Sequence, residues 1–268
     1  MHVDGDFLIM KPFSPIFFLI FGFFIALLYI ATKVMRQRKE EEKRRFIAIS
    51  CLITLMLFFV YKYNLSLDPE YNIAMEPMGG FNWWGELPLH LCNINLILMI
   101  VATWFNKRTL MSFCFFVAPL AALMALLMPS YGFEEYSILI PRIMFYYGIH
   151  FAIIVEALSI ATLGLYRPEF KDLPHTISVA LVLAFAVFVF NMLLRITGIY
   201  DRANYFFCVE TEGNPILDIF YSFLPYPFLY ILPCAVILYI YMLAVTAGFR
   251  LFKRFLEGRR LQSGGTFS

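Results

Sequence analysis

Long apolar runs alternate with short polar stretches along the chain, and that alternation sets the expected architecture. Seven runs are long enough to cross a hydrocarbon core as helices, near residues 14–34, 46–63, 87–105, 110–128, 141–164, 175–197 and 224–248. The pattern predicts an all-α polytopic membrane protein, a single bundle of seven transmembrane helices forming one domain over residues 1–268. Asp4 and Asp6 precede the first run, and no small-residue cleavage site is present, so that run reads as a spanning helix and not as a signal peptide.

The polar stretches orient the bundle. With the N-terminus outside, the inner segments collect all of the 21 basic residues except Lys11, Lys62, Arg142, Arg195 and Arg202. The outer segments hold Glu70, Glu76, Glu134, Glu135, Asp201, Glu210 and Glu212. The excess of Lys and Arg on one side predicts N-terminus outside, C-terminus cytoplasmic. The mixed run from Arg36 to Arg45 reads as a solvated helix extension with i,i+4 ion pairs around Glu40, Glu41 and Glu42. The tail, 249–268, is basic and begins as an amphipathic stub suited to an anionic inner leaflet, ending in a Gly/Ser-rich stretch expected to be disordered.

Composition narrows the class further. Of 268 residues 61% are hydrophobic and 15% charged, against roughly 25% charged in soluble domains. The net charge of +2 and the lack of a basic stripe with interleaved aromatics exclude a nucleic-acid partner. The five cysteines are scattered without a Cys-x-x-Cys pair, which argues against a disulfide or zinc-ribbon framework.

The chemistry concentrates where the third run begins, at Gly85-Glu86-Leu87-Pro88-Leu89-His90-Leu91-Cys92-Asn93-Ile94-Asn95. Ionisable groups at membrane depth are costly unless they face a bundle interior or water, so this stretch is the leading candidate site. With Pro88 in the first helical turn, Cys92 would lie about one turn in, near the positive helix end. Helical spacing places Glu86, His90 and Asn93 on one face and Cys92 with Asn95 on the next, so His90 is a poor base for Cys92. Its expected alternative role is a hydrogen-bonded pair with Glu86. Counting depth at about 1.5 Å per residue brings His150, Asn191, Arg195, Asn204 and Tyr205 into the same outer layer as Cys92, while His175 and His2 fall elsewhere. Tyr146, Tyr147, Trp83 and Trp84 suit an interfacial aromatic belt, and Tyr147 also borders the layer as a candidate substrate contact.

A Cys–His pair supports nucleophilic acyl transfer, in which imidazole takes the thiol proton and the thiolate attacks an ester carbonyl. Asn93, Asn95, Asn191 or Asn204 could donate to the oxyanion. A zinc site from His90, Cys92 and His150 lacks a standard ligand spacing, and no cofactor is called for.

Four pieces in order resemble the YwaF-like integral membrane family, which is mostly bacterial. They are Leu87-Pro88-Leu89-His90-Leu91-Cys92, the segment with His150, Asn191-Met-Leu-Leu followed by Asn204-Tyr205-Phe206-Phe207, and Leu224-Pro225-Tyr226-Pro227-Phe228. That family is similar to animal membrane acyltransferases that move fatty acyl chains between glycerophospholipids through an acyl-cysteine. The resemblance implies Cys92 as nucleophile, His150 as base, membrane phospholipids or fatty-acyl esters as partners, and residence in a bacterial cytoplasmic membrane. The resulting expectation is a lipid acyltransferase or lipid-ester hydrolase. The rival is a non-catalytic carrier or receptor that binds a small ligand or lipid in an outer-leaflet polar pocket.

Overall fold

The computed structural model describes residues 8–76, 79–129, 132–133 and 135–263, with side chains described as far as residue 255. His2, Asp4, Asp6, Glu134 and the Gly/Ser-rich end 264–268 lie outside the described residues. Within them the regular elements are helices joined by turns and irregular connections, with one isolated antiparallel bridge between Ile9 and Ser137.

Nine α-helices are formed among the described residues: α1 (Pro15–Met35), α2 (Glu40–Leu67), α3 (Pro69–Met75), α4 (Leu91–Trp104), α5 (Arg108–Leu127), α6 (Pro141–Thr162), α7 (Asp172–Ile196), α8 (Pro215–Phe223) and α9 (Leu232–Ser263). Their boundaries follow local rules. Proline occupies the first turn of α1, α3, α6 and α8, where its missing N–H costs nothing. Ser14 caps α1 by accepting from Phe17 N at 3.3 Å. Three glutamates fill the first turn of α2, with Arg44–Glu40 and Arg45–Glu41 as i,i+4 pairs at 3.1 and 2.6 Å.

Among the described residues six helices are long and apolar enough to cross a membrane, and the expected span at 87–105 is not one of them. It is the 14-residue α4, roughly 21 Å long against a hydrocarbon core of about 30 Å. Pro88 is therefore not in the first turn of a helix. Residues 81–90 form an irregular run, and the helix starts only after His90, whose ψ of 150° makes it the N-cap. Proline disfavours the helical conformation of the residue before it, which helps to hold this entry open. The last expected segment, 224–248, also starts later: α8 and a 3-10 turn, Leu229–Ile231, precede α9. The basic stub is a continuation of α9 and not a separate element.

The helices pack as α1 on α6, α2 on α4 and α6, α5 on α4, α6 and α7, and α7 on α9. Between α2 and α6, Ser50 and Thr54 each donate to Glu156 Oε1 at 2.7 Å. At one end of the bundle Arg108 makes two bonds to Asp172, at 3.0 and 2.8 Å, and Tyr166 joins Asp172 to Ser112. That network ties α5, the α6–α7 connection and α7 together. At the opposite end Arg142, its side chain 3% exposed, donates to Asp68 at 2.8 Å and to Glu70 at 3.1 Å.

Asp68 joins two elements, closing α2 and capping α3 by accepting from Tyr71 N at 3.1 Å. Burial pushes its carboxyl up, but the Arg142 guanidinium and the Tyr71 N–H outweigh this and hold it below the usual carboxylate range. A depressed folded-state value contributes stability that is present above the unfolded value and is lost as pH falls through the folded one. Thermal unfolding in detergent should therefore show an acid limb beginning below about pH 4. Asp68→Asn should lower the midpoint at pH 7 and flatten that limb. An unchanged limb would show that Asp68 does not carry it.

Candidate functional site

Irregular backbone at membrane depth is tolerated only where its polar groups are satisfied inside the protein or face a cavity. The run 81–90 meets both conditions. Leu87 N donates to Tyr205 Oη at 3.1 Å, and Tyr205 Oη in turn donates to Trp84 O. Gly85 permits this approach, since a Cβ there would lie 2.8 Å from Tyr200 Oη. Tyr205 is itself fixed by Asn191, which is fully buried, donates to Tyr205 O at 2.9 Å and accepts from Tyr205 N at 3.0 Å. The following Phe206 and Phe207 adopt left-handed φ values of 62° and 52°, and both line the space beneath.

That space is a cavity of about 1610 Å³, above the roughly 300–1,000 Å³ of small-molecule sites. Its lining includes the polar side chains of Lys62, Glu86, His90, Asn204, Glu210 and Glu212. It also includes apolar ones, among them Leu120 and Met124 of α5, Ala180 and Ala184 of α7, and Ala235 and Leu238 of α9. Cys92 and His150 both line it.

Cys92 is the second residue of α4 and half-buried. The N-cap His90 supplies no side-chain hydrogen bond to the first turn, and the first intrahelical bond is Ile94 N to His90 O at 2.9 Å. His150 is 7% exposed, and its Nδ1 sits 2.7 Å from Tyr146 O. A carbonyl can only accept, so Nδ1 carries the proton and Nε2 holds the lone pair.

The other expected site residues divide. Asn93 lines the cavity, 8% exposed, and its Oδ1 has no hydrogen-bond partner. Glu86 and His90 line it too, but from the irregular run, so they do not share a helix face with Asn93. Glu86 pairs with Lys62 and not with His90; the His90 ring packs edge-on to Tyr205 at 5.0 Å. Asn204 and Tyr205 stand in the wall, and Asn204 is spent on the backbone of Val209 and Glu210 and on Glu212. Asn95, Asn191, Arg195 and Tyr147 do not line the cavity. Asn95 donates to Leu91 O at 2.6 Å, and Arg195 binds Ala203 O at 2.8 Å and Glu210 at 2.7 Å. Tyr147 is fully buried against Tyr146, with ring centroids 5.2 Å apart. His90, Cys92 and His150 form no metal-ligand cluster among the described residues.

Lys62 is the wall residue that sequence reasoning passed over. A lone charge near the end of the apolar run 46–63 was the available signal, and it was counted only toward orientation.

Asn191→Ala removes both bonds to a buried backbone, a loss of about 2–3 kcal/mol. Its thermal midpoint in detergent should fall by several degrees, and further than that of Arg195→Ala, whose Glu210 partner is 62% exposed. Equal shifts would remove Asn191 from its place as the wall's clamp.

No curated protein and no solved structure matches this chain. A family model does match, over residues 9–246, which is most of the chain. Together with six helices of membrane-spanning length and hydropathy, this makes the chain an integral membrane protein belonging to the TMEM164 family.

Proposed function

We propose that the chain is a lipid-ester acyl-transfer enzyme acting through an acyl-cysteine on Cys92, with His150 as the base. The observation that carries this reading is that Cys92 and His150 line one cavity with both polar and apolar lining, while His150 commits Nδ1 to Tyr146 O and keeps Nε2 as its proton acceptor. Such a cavity suits a ligand whose ester sits between a polar head and a hydrocarbon chain, as in membrane phospholipids. With the N-terminus outside, as the distribution of basic residues favours, the site draws on the outer leaflet.

The steps balance in protons. His150 Nε2 takes the thiol proton as Cys92 Sγ attacks the ester carbonyl. The tetrahedral intermediate collapses to a thioester, and the imidazolium returns the proton to the departing lipid oxygen. An acceptor hydroxyl, from a second lipid or from water, then attacks the thioester while His150 takes its proton, and the free thiol is restored on collapse.

The negative charge on the carbonyl oxygen needs donors already in place. The N–H groups at the uncapped start of α4 are suited to this, with the helix dipole in the favourable sense. They replace the side-chain amides of Asn95, Asn191 and Asn204, which are committed to backbone or to Glu212. Among the described residues Asn93 Oδ1 and Asn95 Oδ1 both lack a hydrogen-bond partner; only Asn93 lines the cavity, and its oxygen can accept there but not donate.

The test is intact-mass spectrometry of detergent-purified protein after incubation with a mixed phospholipid extract. Wild type should gain a hydroxylamine-labile fatty-acyl mass, and Cys92→Ala none. His150→Gln should acylate about 10²-fold more slowly or worse. Absence of any adduct on wild type, with quenching at low pH, would overturn the reading and leave the cavity as a non-covalent lipid site.

A further inference from the structure

One charged pair in the cavity wall has no part in the acyl-transfer steps. Lys62 stands near the C-terminal end of α2 with its side chain 13% exposed, and it pairs with Glu86, 18% exposed. Its ammonium sits 4.7 Å from the centroid of the Tyr61 ring and 5.3 Å from that of Phe58. Desolvating two charges costs as much as their attraction returns, and apolar substitutes for such pairs are often neutral or stabilising. Stability alone is therefore a poor account of it.

Lys62 lines the same cavity as Cys92, His90 and His150, and it does so from α2, which packs on both α4 and α6. Glu86 lines it from the irregular run before α4 and holds the Lys62 ammonium by the ion pair.

We propose that Lys62, anchored by Glu86, is the positioning residue that activates Cys92, favouring its thiolate and keeping His150 neutral with Nε2 ready to accept. A cation beside a thiol favours the anion, and the same cation disfavours a second positive charge on a nearby imidazole. The ionisable groups that line the cavity with Cys92 are Lys62 and Tyr61 from α2, Glu86 and Tyr71 from the α2–α4 connection, His90 at its own N-cap, His150 and Tyr146 from α6, and Tyr200, Arg202, Tyr205, Glu210 and Glu212 from beyond α7. From α9 comes Cys234, and α5 supplies only apolar side chains. Arg202, the other cation of the wall, stands against Gly79, and Glu210 is paired with Arg195. The inference rests on the acyl-transfer reading only for what the thiolate does next.

The test uses no lipid. Carbamidomethylation of Cys92 by iodoacetamide is followed from pH 5 to 10 by mass spectrometry of the Cys92 peptide, in a Cys234→Ala background. Lys62→Met should raise the midpoint of the profile by about one unit and slow labelling about tenfold at pH 7. Glu86→Gln should move the profile the other way, and Lys62→Arg should restore it. The double variant Lys62→Met with Glu86→Gln leaves no lone buried charge, so it guards against misfolding, and it should match Lys62→Met. An unmoved profile in both Met variants, or a wild-type Cys92 unreactive at every pH, would overturn the proposal. An acyl adduct on wild type with an unmoved profile rejects Lys62 alone, and a shifted profile without an adduct rejects acyl transfer alone.

Discussion

The structure depends on satisfying a stretch of non-helical backbone where a spanning helix would be the default. Ten residues before α4, from 81 to 90, carry main-chain donors and acceptors that hydrocarbon cannot pair. The phenol of Tyr205 answers two of them, at Leu87 N and Trp84 O, and Asn191 holds Tyr205 in place from α7. Take this clamp away and α4 has every reason to extend backward. His90 would then lose its N-cap position, and Cys92 would move from a helix start to a helix interior, where its neighbouring N–H groups are consumed by intrahelical bonds.

Shortening α4 therefore does more than open space. It places a cysteine in the first turn of a helix without a side-chain cap, at the positive end of its dipole, and it leaves His90 and Glu86 outside the helix, where both line the cavity. The partner side is equally fixed. His150 is pinned through Nδ1 to its own helix, and Tyr146 below it stacks on Phe133 at 4.6 Å and donates to Ala125 O at 2.7 Å. Groups whose orientation is settled beforehand lose little on reaction, which is the condition for electrostatic stabilisation of a developing charge. The far end of the bundle, where Arg108 and Asp172 join α5 to α7, supplies the rigid base from which this end can afford irregular chain.

The broad architecture was legible in the amino-acid sequence because it is a one-dimensional property. Runs of apolar residues of a given length have few alternatives in a bilayer, and so the helical membrane class and the i,i+4 pairs of the Arg36–Arg45 run could be named from composition and spacing. Cys92 and His150, expected at one depth, line one cavity.

What the sequence could not decide was where a helix stops and which polar groups spend themselves on each other. Apolar length suggested a span at 87–105, yet Pro88, the tight approach of Tyr200 to Gly85 and the Asn191–Tyr205 clamp start the helix at Leu91. Depth put Asn191 and Arg195 in the layer of Cys92, and spacing put Asn95 on its face, but neither fixes what a side chain bonds, and all three are held by hydrogen bonds and do not line the cavity. Lys62 shows the converse: its meaning comes from Glu86, which is 24 positions away along the chain and adjacent in space. By itself the sequence determined the solvent each segment must live in. Only tertiary contacts, made by residues far apart in the chain, decided which of the polar groups line the cavity and which bond to one another.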